Sequence, residues 1–174
     1  MDFKEIVRVR QSCRKYSDRA VDDNDIKEIL EEAILAPSAC NSQPYHFTVC
    51  KGEMAQKVAK ACQGVGLNGF VKDAPVLIVI SEAPYNKTAA IGAKFKGNDY
   101  RSIDIGIATA YITSSAAERG LSSCIIGWLD DKKIREICAL EGAIRLVICI
   151  GYADESDSLR NKKRKSYDDM VSEI

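Results

Sequence analysis

The sequence predicts a single domain that mixes helices with strands. Three observations carry that reading. Two runs, Ala74–Ile80 and Arg145–Tyr152, are largely apolar, as strands covered on both faces are. Around them apolar residues recur at helix spacing, as in Ile26, Ile29, Leu30, Ala33 and Ile34. The longest helical pattern, Asp99–Arg119, is apolar nearly all round.

The totals bound the class. With 174 residues the chain can build one core of its own, and no linker, repeat or low-complexity stretch divides it. Residues 1–174 therefore read as one domain, with an extended, basic tail from about 155 to 174. Lys plus Arg number 25 and Asp plus Glu number 25, so no global field draws the chain to nucleic acid or to a membrane surface. No apolar run approaches the roughly 20 residues of a membrane span. The charged start, Met1–Glu5, lacks the apolar core of a signal peptide, which reads as cytoplasmic. Seven cysteines, at 13, 40, 50, 62, 124, 138 and 149, show no C-x-x-C spacing and mostly sit in apolar patterns; reduced, buried thiols are expected. One histidine, His46, excludes a multi-histidine metal centre.

The elements follow in order. Phe3–Arg8 reads as a short helix with Phe3, Ile6 and Val7 on one face. Asp22 or Asp23 caps a second helix, which Pro37 ends. His46–Cys50 is a strand, Lys51-Gly52 a turn and Met54–Cys62 a helix. Gly64–Gly69 matches G-x-G-x-x-G, but it follows a helix and leads into a strand, so it is no dinucleotide loop. Ala74–Ile80 is a central strand. Glu82–Asn98 has no clear period and reads as a mobile surface segment or lid. Asp99–Arg119 is a helix of roughly 30 Å at about 1.5 Å per residue, stopped by Gly120. Burial on all its sides in so small a domain calls for a second subunit, hence an obligate homodimer. Leu121–Trp128 is a loop or short strand, Lys132–Leu140 a helix capped by Asp130-Asp131, and Arg145–Tyr152 the last strand.

Three stretches carry candidate chemistry. Arg10, Ser12 and Arg14 share a side of an extended segment, and Arg10 and Arg14 share a face of a helix. Either way two guanidinium groups and a hydroxyl converge, which suits a phosphate; a solvated basic stretch is the plainer alternative. Ser38, Asn41, Ser42 and Gln43 offer neutral donors and acceptors, which suit the polar edge of a flat heteroaromatic; a capped turn is the plainer alternative. The tail Arg160–Lys165 is a solvated or nucleic-acid-binding run, or it returns to a phosphate beside Arg10 and Arg14. Zero net charge and the lack of stacking aromatics weigh against nucleic acid.

These pieces together resemble the nitroreductase family of FMN-dependent oxidoreductases. The matching motifs are R-x-S-x-R at Arg10–Arg14, A-P-S-x-x-N-x-Q-P at Ala36–Pro44 before Tyr45, and A-P-x-x-I at Ala74–Ile78. They continue with D-x-G-x-A at Asp104–Ala108, Arg119-Gly120-Leu121, Ile150-Gly151-Tyr152 and the basic Lys162–Lys165. The resemblance implies an α+β fold, a mixed and mostly antiparallel sheet flanked by helices, in an interlocked homodimer with a long buried central helix. It implies two FMN molecules at the subunit seam and NADH or NADPH as electron donor. By carry-over, Arg10, Gln11, Ser12, Arg14, Arg160, Lys162 and Arg164 would hold the phosphate and ribityl chain. Pro37, Ser38, Asn41 and Gln43, from the other subunit, would meet the ring. Ile126 and Gly127 would line it by backbone contact, and Asn68 would lie nearby. The family chemistry needs no side-chain acid, base or nucleophile, so no catalytic residue is assigned. Tyr45 stands where tryptophan is common, Ile126 where some members have an acid, and Glu82–Asn98 replaces a longer substrate-covering insertion. The implied activity is electron transfer to a small organic acceptor such as a nitroaromatic, quinone, enone or flavin. The alternative is a flavin-binding dimer that stores or senses FMN without turnover.

Overall fold

Every residue from Val76 to Ser81 is buried, because this strand lies inside its sheet with helices on both faces. The computed structural model describes residues 1–64 and 66–174; Val65, within the G-x-G-x-x-G stretch, lies outside the described residues. Four strands form the sheet: β1 (Tyr45–Lys51), β2 (Val76–Glu82), β3 (Ser122–Ile126) and β4 (Ile144–Gly151), in the order β1-β2-β4-β3. All three pairings are antiparallel. A lone parallel bridge, Ser12 to Ser123, lays the N-terminal segment along β3. The fold is α+β, as expected.

Side-chain alternation splits the core in two. On one face Leu77, Val79, Val147, Cys149 and Cys124 pack beneath α3 (Gly52–Cys62) and α6 (Asp131–Cys138). On the other, Ile78, Ile80, Ile148 and Ile150 pack beneath α2 (Asp23–Ile34) and α5 (Tyr100–Glu118). β2 and β4 serve both faces, which is why their sequences are apolar without alternation.

The helices start where short acids accept from free N–H groups. Asp2 and Glu5 form a capping box on α1 (Phe3–Val9), Asp22 caps α2 and Asp130 caps α6. Gly120, with φ +71°, follows the end of α5, as its position in the sequence predicts. Arg119 then ties α5 to α2 through Glu28 (3.0 Å) and Glu32 (2.7 Å). At Gly151 a Cβ would come within 2.7 Å of Pro75 and 2.8 Å of Tyr16, so the I-G-Y glycine is required by packing at the end of β4.

Two expectations need correction. Glu82–Asn98 contains a helix, α4 (Lys87–Lys96), capped by Asn86 and closed by Gly97 at φ +61°. Ala89 alone is buried; Ile91 and Phe95, four apart, share a solvent-facing side, and the rest of the helix is small or basic, so the segment carries only a weak period. Helix α3 starts at Gly52, earlier than the turn there implied. The long helix α5 is buried on one face only within the single chain: Ile105, Ala108, Ile112 and Ala116 are covered, whereas Ile103 and Tyr111 are 50% and 41% exposed. Leu121–Trp128 resolves to strand β3 followed by an irregular exit. No helix among the described residues is long and apolar enough to cross a membrane.

Candidate functional site

The extended reading of Arg10–Arg14 holds, because the segment is pinned to the sheet at both ends. Ser12 bridges β3, the Cys13 amide donates to the Ser123 carbonyl (2.9 Å), and Tyr16 bridges Ala153. The chain leaving β4 runs back along this segment. The Asp154 amide donates to the Lys15 carbonyl (3.0 Å), and the Arg14 amide donates to Asp157 (3.2 Å). Asp157 also pairs with Arg160, which donates to the Ser12 carbonyl as well. The Asp157 side chain is only 7% exposed. Burial pushes its carboxyl up, but bonding to Cys13, Arg160 and the Arg14 amide outweighs that and holds it below the ordinary range.

The result is a cationic corner. Arg10, Gln11, Ser12, Arg14, Arg160, Asn161, Lys162, Lys163 and Arg164 line a cavity of about 300 Å³. Gln11 and Arg160 are spent on structure. The Gln11 amide group donates to the Ser158 carbonyl (3.2 Å) and its oxygen accepts from the Arg160 amide (3.0 Å), so Gln11 clasps the tail. Lys162 donates to the Arg10 carbonyl. Among the described residues Arg10, Arg14, Lys162 and Arg164 form no ion pair. Burial, then repulsion from Arg10, Arg164 and Arg160, lowers the Lys162 pKa. A knot of unneutralised cations of this kind calls for an anion with several oxygens, such as a phosphate monoester.

The second constellation lies between α2 and β1. Ser38 to Gln43 form a short, wound loop in which Cys40, Asn41 and Gln43 all have φ between 46° and 52°. Non-glycine residues adopt that region at a cost, and such conformations gather at ligand sites. Side chains hold the loop in it. Ser38 Oγ accepts from the Gln43 amide (2.9 Å), and Gln43 Nε2 donates to Asn41 Oδ1 (2.7 Å). Asp104, on α5 and 2% exposed, accepts from the Ala39 amide (3.0 Å). Pro37 follows the turn that ends α2 and has no backbone N–H to donate. The Asn41 and Gln43 amides stay at the surface with donors and acceptors to offer.

The third group gathers at the exit of β3. The Ile126 side chain is 3% exposed and belongs to the core, so only its backbone is open to a ligand; Gly127 is exposed. Asn68 Nδ2 donates to the carbonyls of Cys62 (3.1 Å) and Trp128 (3.4 Å). Asn68 thus fastens the stretch after α3 to the residues beside Gly127. A Cβ at Gly64 would fall 2.3 Å from the Trp128 indole nitrogen, so that stretch fits flush against the tryptophan.

The sequence reading missed three roles. Asp157 carried no signal among its acidic neighbours. Asp104 entered only as part of the D-x-G-x-A motif, although a lone acid among apolar helix residues marks it for a buried hydrogen bond. Asn86 is an N-cap whose helix was not recognised. The thiols do not form a reactive set: burial first of all pushes Cys13 up to about 11 and Cys50 and Cys62 up to about 12. Cys40 is exposed, against the expectation of burial.

Similarity to known proteins is extensive. The chain is 40% identical over 81 residues to a Methanothermobacter thermautotrophicus protein whose name includes NADH dehydrogenase/NAD(P)H nitroreductase; the match spans 46% of this chain and 41% of that one. A nitroreductase family protein from Streptococcus pneumoniae TIGR4 superposes with a TM-score of 0.85 at 25% identity, covering 99% of this chain and 100% of the other. An FMN-dependent nitroreductase from Clostridium difficile R20291 superposes with a TM-score of 0.72 at 30% identity, covering 95% and 92%. The family model for the nitroreductase family matches residues 7–67 and 63–152, and the chain belongs to that family.

Proposed function

We propose that the protein is an FMN-dependent oxidoreductase that passes electrons from NADH or NADPH to a small organic acceptor by a ping-pong scheme. Nitroaromatics, quinones, enones and free flavins are the acceptor classes considered. The observation that carries the reading is the cationic corner, four positive side chains around a cavity with no carboxylate paired to them. It fits the phosphate of FMN, with the Ser12 hydroxyl as a further donor. The neutral donors and acceptors of Ser38, Asn41 and Gln43 fit the alternating N–H and C=O groups of the isoalloxazine edge. FMN, when bound, would supply hydride acceptance from the nicotinamide and electron delivery to the acceptor. The protein's part is to hold the phosphate, orient the ring and limit water. The buried thiols of Cys13, Cys50 and Cys62 are pushed up and take no part as nucleophiles.

The same geometry supports a homodimer. The loop precedes β1, at one edge of the sheet, whereas Ser12 and Ser123 sit at the other edge. Their strand positions also differ by about six residues along β2, since Ser123 aligns with Val76 through Ile150, and Tyr45 with Glu82. At about 4.8 Å per strand and 3.4 Å per residue, the two half-sites lie roughly 25 Å apart, at diagonal corners. Bringing one copy's loop to another copy's cationic corner completes a site that a single chain leaves divided. The open face of α5 and a groove of about 660 Å³ lined by Phe3, Val7, Ala110 and Tyr111 offer the apolar surface for that contact.

The test is anaerobic. Purified protein reconstituted with FMN is mixed with NADH or NADPH, and bleaching of the flavin band is followed before and after an acceptor is added. Bleaching by the nucleotide and recovery with the acceptor support the reading. A flavin that stays oxidised would leave a binder without turnover.

A further inference from the structure

We propose that Asn86 is a positioning residue that couples the Ser38–Gln43 loop to helix α4, so that flavin seated on the loop orders the helix. The proposal rests on the reading of that loop as the ring-contacting element.

Asn86 uses every polar group it has at one joint. Its side-chain Nδ2 donates to the Cys40 carbonyl (2.8 Å), and its backbone N–H donates to Ser42 Oγ (2.8 Å). Its Oδ1 accepts from the Ala89 amide (2.8 Å) and so caps α4. The first two bonds reach residues of the strained loop; the third closes the first turn of the helix. Cys40 itself has φ +51°, a conformation that its surroundings must maintain.

Helix α4 has little else to hold it. It is 10 residues long, below the length at which an isolated helix is stable in water. It buries Ala89 and leaves Ile91 and Phe95 71% and 84% exposed. A helix with so few buried contacts sits at the low end of local stability and responds to its cap. A ligand that rigidifies the loop therefore removes part of the cost of ordering α4, which is positive coupling without a large displacement.

The two roles of Asn86 separate by substitution. Asn86→Asp keeps an N-cap oxygen of equal quality but loses the donor to Cys40. Hydrogen exchange is measured on the full-length protein with and without FMN, following segments 38–43 and 87–96. In the wild type, FMN slows exchange in both segments, in α4 by about five- to tenfold, the low end of inter-site coupling. In Asn86→Asp the loop remains protected by FMN, while the slowing of exchange in α4 falls short of the wild type, the backbone N–H bond of residue 86 to Ser42 Oγ carrying what remains. Protection of α4 in Asn86→Asp equal to the wild type would overturn the coupling, as would a wild-type α4 that ignores FMN while the loop responds. A loop that itself ignores FMN would overturn the ring-contact reading and the coupling with it.

Discussion

The cationic corner and the Ser38–Gln43 loop are built by opposite means. The corner is assembled from groups that repel one another. Arg10, Arg14, Lys162 and Arg164 are held together by a tail that Asp157 and Gln11 fasten down. Its selectivity is for charge, and an anion relieves the repulsion. The loop carries no charge and is held by its own hydrogen bonds in backbone conformations that cost free energy. Its selectivity is for the pattern of donors and acceptors. One region stores electrostatic tension and the other conformational tension, so salt, pH and substitution act on them differently.

Reversing a charge in the corner gives the largest effect. Arg14→Glu is expected to weaken FMN retention by about 100-fold or more, since charge-assisted bonds count for roughly 1.5–3 kcal/mol each and a repulsion replaces them. Equilibrium dialysis or the flavin content of the purified protein reads this out. An Arg14→Glu variant that purifies fully loaded would remove the corner from the site.

The sharper contrast comes from ligand and salt together. FMN binding should weaken as ionic strength rises, because the corner is exposed to screening. Riboflavin, which lacks the phosphate, should bind more weakly but with little salt dependence, through the loop alone. Equal salt slopes for the two ligands would refute the division of labour.

A loop substitution is smaller and ligand-blind. Gln43→Ala removes the proposed ring contact and the bond to Asn41, and should cost about tenfold in affinity, roughly 1.4 kcal/mol, for FMN and riboflavin alike. Asp104→Ala leaves the Ala39 amide without its acceptor; a loss of about 1–3 kcal/mol in unfolding free energy is expected by denaturant titration.

The smallest effect is one of pH. The Lys162 pKa is lowered in the folded protein, so its positive charge opposes folding below that folded pKa. The opposition fades as pH rises through the folded pKa toward the ordinary lysine value. With the proposed phosphate contact, FMN binding should weaken in that same alkaline window. A flat binding profile there would take Lys162 out of the phosphate contact. At the acid end, Glu32 is held below its ordinary range by Arg119, so the tie between α2 and α5 weakens as pH falls through that lowered pKa.

How far the sequence reached depended on whether a residue's role was local. The basic R-x-S-x-R and the K-K-R-K tail could be matched because their chemistry is a property of side-chain type. That Gln11 and Arg160 fasten the tail, whereas Lys162 and Arg164 remain for a ligand, depends on Asp157 and the Ser158 carbonyl, about 146 residues from Gln11 in the chain. Helix α4 was hidden because it holds only two large apolar residues, Ile91 and Phe95, among small and basic ones, too short a pattern to mark a helix.

By itself the sequence determined the class of fold, the central strands, the main helix caps and the chemical character of both half-sites. Each of these follows from hydrophobic period, short-range hydrogen bonding or side-chain charge, which act over a few residues. The tertiary structure alone decided that the tail returns to Ser12, that Asp104 and Asn86 grip the Ser38–Gln43 loop, and that this loop and the cationic corner lie at opposite corners of the sheet. Those facts arise from strand order and from contacts between distant segments, and no local pattern encodes which distant partner a buried N–H or a loop carbonyl will find.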